Sequence, residues 1–479
     1  MRTFITVALL LVALVHALPV LGVLGAGRLS ALYGIEVTEP NLEILLRHRA
    51  VLFGLVAALL AHAAFKPELQ RLALLAGMLS IGSFMALTVW VGQPNESLQT
   101  VFRVDIAALV LLLAAGAAAW AVRKLLRSRN MHLWIGSYLR RARRMPPPGR
   151  ITHVHFAFCD HYEPYWRKAD TTTARQRVQR WLDRYPVIAS AHKDSDGRSP
   201  RHSFFYPEEE YDEQILDGLS AMCRQGHGDI EVHLHHDNDT AENLAATLTR
   251  FTRTLHERHG MLRRDPKTGQ LLYAFIHGNW ALDNSRPDGR WCGVDNELQV
   301  LVDTGCRVDM TMPSAPSDTQ TAKINAIYFA KGCPGHRKSH DHGRDAAVGD
   351  WAREGELLLV QGPLMLNWRD RKLGLMPRIE SSEISADCPP TADRVALWED
   401  AGITVRGAED HLFIKVHTHG AEERTAQALL EGGFESLWNE LERRFRDRPG
   451  YALHYVSAWE MYEKLRSLCQ PGGDAVPTR

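Results

Sequence analysis

Paired cysteines are what this sequence lacks first. Its seven cysteines are an odd set with no C-x-x-C spacing, which argues against a zinc knuckle, a redox dithiol or a secreted disulfide framework and suits a reducing compartment. A glycine-rich phosphate loop and a G-x-S-x-G elbow are also missing, which argues against a nucleotide motor or a serine esterase. The 56 basic side chains are balanced by 56 acidic ones, leaving no cationic surplus with which to hold nucleic acid. The last shortage is regional. Uninterrupted apolar sequence nearly ends at Lys124, whereas all the cysteines, most of the charge and most of the 23 histidines lie beyond it. One part is too apolar for water and the other too polar for lipid, so solvent preference alone sets a boundary.

A helix needs roughly 20 apolar residues to cross the hydrocarbon core, where its backbone finds no water to bond. Four stretches qualify: Ile5 to Leu24, Ala50 to Ala64, Leu72 to Val91 and Val104 to Val122. The first has marks of a secretory signal, with Arg2 ahead of the apolar run and Gly25-Ala26-Gly27 behind it. Its length and the three segments that follow favour a span. Basic residues set the orientation. Arg123, Lys124, Arg127, Arg129, Arg140, Arg141, Arg143 and Arg144 follow the fourth stretch, against Arg28, Arg47, Arg49 and Arg103 in the first and third loops. A multi-pass inner-membrane protein is expected, with the lipid bilayer as partner and both termini in the cytoplasm; export of the large domain despite its flanking charge is the alternative.

The segment GVLGAGRLSALYGIEVTEPNLEILLRHRAVLFG, Gly22 to Gly54, resembles a family of small four-helix bacterial membrane proteins, a resemblance that lends no activity. Within it Glu39, Glu43, Arg47, His48 and Arg49 form either a polar site at the bilayer edge or a solvated loop. From Arg123 to Arg150 the chain is basic and amphipathic and ends in three prolines, which suits a helix lying on an anionic membrane surface.

Beyond the prolines, short β-type runs alternate with helical segments. The runs are Ile151 to Cys159, His202 to Tyr206, Asp229 to His235, Leu271 to His277, Cys306 to Met312, Leu357 to Val360, Leu412 to His417 and Ala452 to Val456; helices fit Thr173 to Arg184, Asp212 to Arg224, Thr240 to His259 and Glu423 to Arg446. This alternation predicts a parallel sheet closed into a barrel of seven or eight β/α units, with an open doubly wound sheet as the other arrangement. The expected domains are a four-helix transmembrane part at 1–124, a linker at 125–150, the barrel at 151–465 and a flexible tail at 466–479.

Polar clusters fall at the ends of the runs, where barrel enzymes keep their working groups. Cys159-Asp160-His161 closes the first, His235-His236-Asp237 the third, His277-Gly278-Asn279-Trp280 the fourth and His417-Thr418-His419 a late one. Alternate residues of a strand share a face, so Glu231, His233 and His235 point away from Ile230, Val232 and Leu234. With His236, Asp237 and Asp239 following on the loop, several nitrogen and carboxylate ligands are expected around one divalent ion. Asp160, a carboxylate directly after a buried strand, is a candidate base or ligand. His161 is a candidate ligand, and Glu163 is either a support behind the ligands or an exposed loop acid. Lys338-Ser-His-Asp-His-Gly343 has ligand-like spacing of its own in a glycine-rich segment that suits a rim loop.

These motifs together resemble a divergent polysaccharide deacetylase of the NodB-homology type. FAFCDHYEP stands where that family has Phe-Asp-Asp, HSFFYP resembles its Thr-Phe-Phe strand, GHGDIEVHLHHDND its Gly-His-Glu-Ile-Gly-x-His segment and LFIKVHTHG its late strand ending in histidine. The resemblance implies a partial (β/α) barrel that uses a divalent metal, zinc before cobalt, nickel or manganese, to remove acetyl groups from amino sugars. Carried over, Asp160 would be the base, His161, His235 and Asp239 would hold the ion, or His233 and Asp237 in a register shifted by two, and His417 or His419 would be the acid. His277, Asn279 and Trp280 suit substrate recognition. The departures are His161 in place of an aspartate, Asp239 in place of a histidine, and FIHGNWALDNSRPDGRWCG in place of an Arg-Pro motif.

A membrane-bound metal-dependent hydrolase acting on an acetylated sugar, polysaccharide or lipid-linked saccharide is the expectation. An amidohydrolase-like or phosphoesterase-like barrel, and a non-catalytic carbohydrate-binding scaffold, are the alternatives. With a cytoplasmic domain, protease added to sealed right-side-out vesicles is expected to spare everything after Arg150 and to degrade it once the vesicles are lysed; digestion before lysis would place the domain on the other side.

Overall fold

The computed structural model describes residues 2–141 and 149–470, in two units that divide between Ser128 and Arg129. Arg143, Arg144 and the prolines of the linker lie outside the described residues, as do residues 471–479.

In the N-terminal unit four helical segments, Thr3–Leu24, Pro40–Ala63, Gln70–Val91 and Glu96–Ser128, are long and apolar enough to cross a membrane. Small side chains let them approach: Ala8, Ala63, Ala73 and Ala115 pack with Leu9, Leu60 and Leu112, all fully or nearly fully buried. Large apolar groups face outward, among them Leu79, Val89, Trp90 and Val91, a surface that water would not tolerate over so wide an area. The polar group expected near the first loop divides. Glu39 caps the Pro40–Ala63 helix by accepting from the Asn41 and Leu42 amides, and Glu43 pairs with Arg47 at 3.2 Å. Arg49 turns inward, its guanidinium 5.4, 5.1 and 5.6 Å from the rings of Tyr33, Phe53 and Phe84, beside a cavity of about 230 Å³ that Asp105 also lines.

After the fourth of these helices, Met131, Trp134 and Tyr138 of the expected surface helix are buried within the protein. Among the described residues there, a 3-10 turn at Met131–Leu133 precedes a six-residue α-helix, Ile135–Arg140.

The strands of the second unit are β1 (Thr152–His161), β2 (His202–Pro207), β3 (Gly228–Leu234), β4 (Arg263–Arg264), β5 (Leu271–His277), β6 (Cys306–Asp309) and β7 (Ile327–Lys331), followed by β8 (Arg344–Asp345), β9 (Glu356–Val360), β10 (Met365–Lys372), β11 (Met376–Glu380), β12 (Thr404–Val405), β13 (Ala408–Thr418) and β14 (Tyr451–Tyr455). All eight runs read from the sequence are strands. A single mixed sheet orders them β12-β13-β1-β2-β3-β5-β6-β9-β7-β8, and β10 and β11 form a separate hairpin. The edge of β1 is shared: Thr152 to Phe156 pair with β14, and Phe158 to His161 pair with β2.

Among the described residues, closure of this sheet into a barrel of repeated parallel units is not found. The path stops at β12 and β8, each two residues long, and β7 runs antiparallel to both β8 and β9. Near those ends one isolated bridge joins Ala347 to Arg406, with Val348 N–H donating to the Arg406 carbonyl at 2.9 Å. Strands this short cannot carry a ladder.

The two faces of the sheet are filled differently. Phe158, Phe204, Val232, Phe275 and Val416 meet an outer layer of helices through Trp181, Tyr185, Phe434 and Trp438. On the inner face Ala157, Phe205, Ile276, Met310 and Phe413 meet the C-terminal helix Ala458–Cys469, whose Met461, Leu465 and Cys469 are fully buried. That helix covers the start of the tail expected from residue 466. Ser457 and Glu460 cap it reciprocally.

Lys415 also points inward and is 1% exposed, its ammonium donating to the Met310 and Met312 carbonyls at 2.6 and 2.9 Å. Burial pulls its pKa from 10.5 to about 8. Between those values the unfolded chain binds a proton that the folded chain does not, so stability rises with pH across that window. The thermal midpoint of the wild type is expected to gain from this term between pH 8 and pH 10, whereas Lys415→Met should lack the gain.

Candidate metal centre

The carboxyl ends of β1, β3 and β13 lie level because their registers are fixed: Cys159 pairs with His417, His161 with Phe205, and Pro207 with His233. Inner-face residues at this rim are His161 and, two positions later, Glu163; His233 and His235; and His417 and His419. The ligand atoms of His161, Glu163 and His233 all lie within 4.8 Å of one another. The His161 ring centre is 5.0 Å from that of His233, 4.8 Å from His419 and 6.0 Å from His417. Around this buried floor the partly exposed indoles of Trp166 and Trp280 stand 5.5 and 5.9 Å from the His419 ring.

His233 defines the chemistry of the floor. Its Nδ1 lies 2.8 Å from the Ile276 carbonyl, which accepts only if Nδ1 carries the proton. The neutral ring then presents the lone pair of Nε2 to the Glu163 carboxylate at 3.3 Å. Two acceptors face each other, and a cation or an extra proton must lie between them. A histidine that donates one ring nitrogen to a carbonyl and aims the other inward is the usual posture of a metal ligand, so these residues fit a divalent ion. Glu163 Oε1 also lies 3.6 Å from His235 Nε2 and 4.0 Å from His419 Nε2. Burial opposes charge on Glu163, yet a proton held between it and His233 Nε2, with His419 and His235 close by, keeps its carboxyl below the ordinary value. Burial, then the neighbouring imidazoles, pushes His161 far down, and burial with Lys415 does the same to His417. His235 is raised despite its burial, because Glu209 accepts from its Nδ1 and Glu163 stands near.

The structure does not gather the other expected ligands here. Asp160 follows Phe158 onto the outer face, 0% exposed, where it accepts from His202 Nε2 at 2.8 Å and from the Gly420 amide at 2.7 Å. Both of its oxygens are engaged, and it does not face the His161 floor. Trp181 locks the same corner by donating to the Gly420 carbonyl at 2.9 Å. His236 turns opposite to His235, its Nδ1 3.2 Å from Asp239 and its Nε2 3.1 Å from Glu297. Asp237 accepts from the Trp291 amide at 2.6 Å. The run from His233 to Asp239 therefore divides between two sides of the sheet and does not converge on one ion.

His277 follows Phe275 outward and stacks near His236, ring centres 4.8 Å apart. Of the three residues expected to bind substrate, Trp280 borders the floor, 6.0 Å from His161, while Asn279 precedes it with a left-handed φ of 54°. His340, from the expected rim loop, is fully buried, and burial, Lys338 and His277 lower its pKa to about 3.

Sequence reasoning undervalued Glu163 and missed Glu209 and Glu297. The period of two from His161 to Glu163 was a usable signal for the first. The Glu208-Glu-Glu210 run after β2 signalled acid without saying which member turns inward, and nothing local marked Glu297.

No family model matches the chain, and no curated protein matches it. A solved structure named "putative polysaccharide deacetylase from Mycobacterium smegmatis" is 13% identical, with 71% of this chain and 98% of that one covered and a TM-score of 0.36. At that score two backbones superpose only in part.

Because the Asp160 carboxylate pairs with a buried imidazole, Asp160→Ala is expected to cost about 3 kcal/mol of stability. Divalent-metal content of whatever folded protein remains should be unchanged; a variant as stable as the wild type, or one depleted of metal, would return Asp160 to the floor of the site.

Proposed function

We propose that this chain is a metal-dependent hydrolase of the deacetylase kind that works at a membrane on an N-acetylated saccharide carried by a lipid. The observation that supports it most is the facing of His233 and Glu163 as two acceptors beside His161, at a rim bordered by two tryptophans.

His161, Glu163 and His233 would hold the ion, which when bound would polarise an acyl carbonyl and lower the pKa of a water. The remaining residues have their own tasks. Trp166 and Trp280 offer apolar ring faces on which a sugar can lie while its hydroxyls stay wet. His419, partly exposed between them and 4.0 Å from Glu163, is better placed than the buried His417 to carry a proton from the attacking water to the departing amine. Glu209 fixes the His235 ring with Nδ1 protonated and Nε2 toward the cleft, which makes His235 a second proton carrier at the same mouth. The tight floor excludes bulk water from the acyl group, and the open top admits a headgroup. A lipid-linked substrate suits a chain with four helices able to cross a membrane.

The decisive measurement is acetate release from N-acetylated glycolipids by the full chain in detergent or vesicles. Chelation is expected to abolish turnover and zinc to restore it. His161→Ala and Glu163→Gln should be inactive, and His419→Ala should lose roughly a hundredfold in kcat. Binding of the glycolipid without turnover under all metal conditions would leave a carbohydrate-binding scaffold.

A further inference from the structure

On the outer side of the same rim four side chains from four segments converge: His236 after β3, His277 at the end of β5, Cys292 in the loop beyond, and Glu297 at the first turn of the Glu297–Thr304 helix. We propose that they bind a second divalent cation, zinc by the chemistry of the donors, which pins the 278–297 loop. One ligand atom from each lies within 4.8 Å of all the others. The inference does not depend on the hydrolase reading.

The donor orientations carry the argument. The His277 side chain is fully buried, and its Nδ1 contacts the Gly278 carbonyl, which can only accept. Nε2 is then a bare lone pair; it has no hydrogen-bond partner and lies 3.4 Å from Glu297 Oε1. His236 approaches from the opposite direction, its Nε2 hydrogen-bonded to the same Glu297 oxygen at 3.1 Å and its Nδ1, 3.2 Å from Asp239 Oδ2, without a hydrogen-bond partner. Two imidazole Nε2 atoms thus converge on one carboxylate oxygen, and that of His277 comes without a proton to give it. The other oxygen, Oε2, accepts from the Asp283 amide at 2.6 Å and meets the Cys292 thiol at 3.4 Å. A buried acceptor facing another acceptor is unfavourable for each group left unmatched, and a cation removes that cost.

The set, two nitrogens, one sulfur and one carboxylate oxygen, is the mixture zinc accepts in four-coordinate sites. His277, Cys292 and Glu297 are 0% exposed, so four protein donors close the site and leave no position for substrate, which marks it as structural. Binding converts the Cys292 thiol to a zinc thiolate and releases one proton to solvent, with no change of oxidation state. The two centres are distinct: His235 and His236 diverge across the sheet, and no sulfur belongs to the His161 group.

The clamped segment has reason to need a clamp. Between Gly278 and Glu297 it contains only two three-residue helical turns. Asn279, Trp280, Asp283, Asn284 and Trp291 hold left-handed φ values of 54°, 55°, 54°, 49° and 67°, each disfavoured for a residue with a side chain. Trp280 is in this loop and borders His161. A metal at its two ends would fix the indole that walls the first site.

Metal analysis of the purified full chain should find two equivalents of divalent ion. Cys292→Ser should keep one and His161→Ala should keep the other. After cobalt replacement, wild type and His161→Ala should show sulfur-to-cobalt charge-transfer absorption, and Cys292→Ser should lack it. Because Cys292→Ser could unfold the loop, the zinc absorption-edge fine structure of the wild type alone gives an independent reading, with a sulfur neighbour expected at about 2.3 Å. A first shell of nitrogen and oxygen only, or metal content that Cys292→Ser leaves unchanged, overturns the proposal.

Discussion

Successive side chains of an extended strand leave it on opposite sides, and at the carboxyl rim of this sheet that rule sorts nearly every polar residue. Asp160 goes out and His161 goes in; His235 goes in and His236 goes out. The inner set surrounds an open-topped floor beneath two tryptophans, and the outer set is sealed under helices. One property of the backbone therefore makes two environments from a nearly continuous polar sequence, and the same alternation places Ile230, Val232 and Leu234 in the helix-covered core.

The buried carboxylates show how each environment is satisfied. Asp160 is complete within the protein, with His202 and the Gly420 amide on its two oxygens. Its corner tolerates no added bulk, since a Cβ on Gly420 would come within 2.1 Å of its Oδ2. Glu163 and Glu297 differ, each facing one imidazole nitrogen, of His233 and of His277, whose ring proton is committed to a backbone carbonyl. An unpaired buried charge is among the costlier features a fold can carry, so groups that face each other as acceptors mark where a cation stabilises the protein. The difference between Asp160 and Glu163 is one of partners, and it separates a structural acid from a ligand.

The units that divide after Ser128 present different surfaces. In the first, polar groups are few; Arg49 is covered by three aromatic rings and Glu43 is paired along its own helix. In the second, the apolar stripe of the Ala458–Cys469 helix fills the inner face of the sheet away from the rim. Covering that face from within leaves His235 and His419 at the rim partly exposed, which positions the candidate centre as surely as its ligands do.

Much of this was legible in sequence. Apolar length located four helices, and β-type runs located eight strands, because both signals are local and periodic. β7 was missed: Ile327 to Lys331 is short and sits among turn residues, and its antiparallel pairing with β9 gives no helix-strand alternation to read. The β10–β11 hairpin, with charge at six of its thirteen strand residues, was not among the runs read from the sequence. The expected closed cylinder is not found among the described residues, since whether a path of strands meets itself depends on its end strands, which here are two residues long and near one isolated bridge. In the site, the chain by itself determined which residues could act: the histidines, His161 two before Glu163, and the face shared by His233 and His235. What only the tertiary structure decided was the partition, with His277, Cys292 and Glu297 joining His236, and Glu163 joining His161. Periodicity fixes which side of its own strand a residue takes, but its partners come from other strands, and only the packed sheet sets their register and distance.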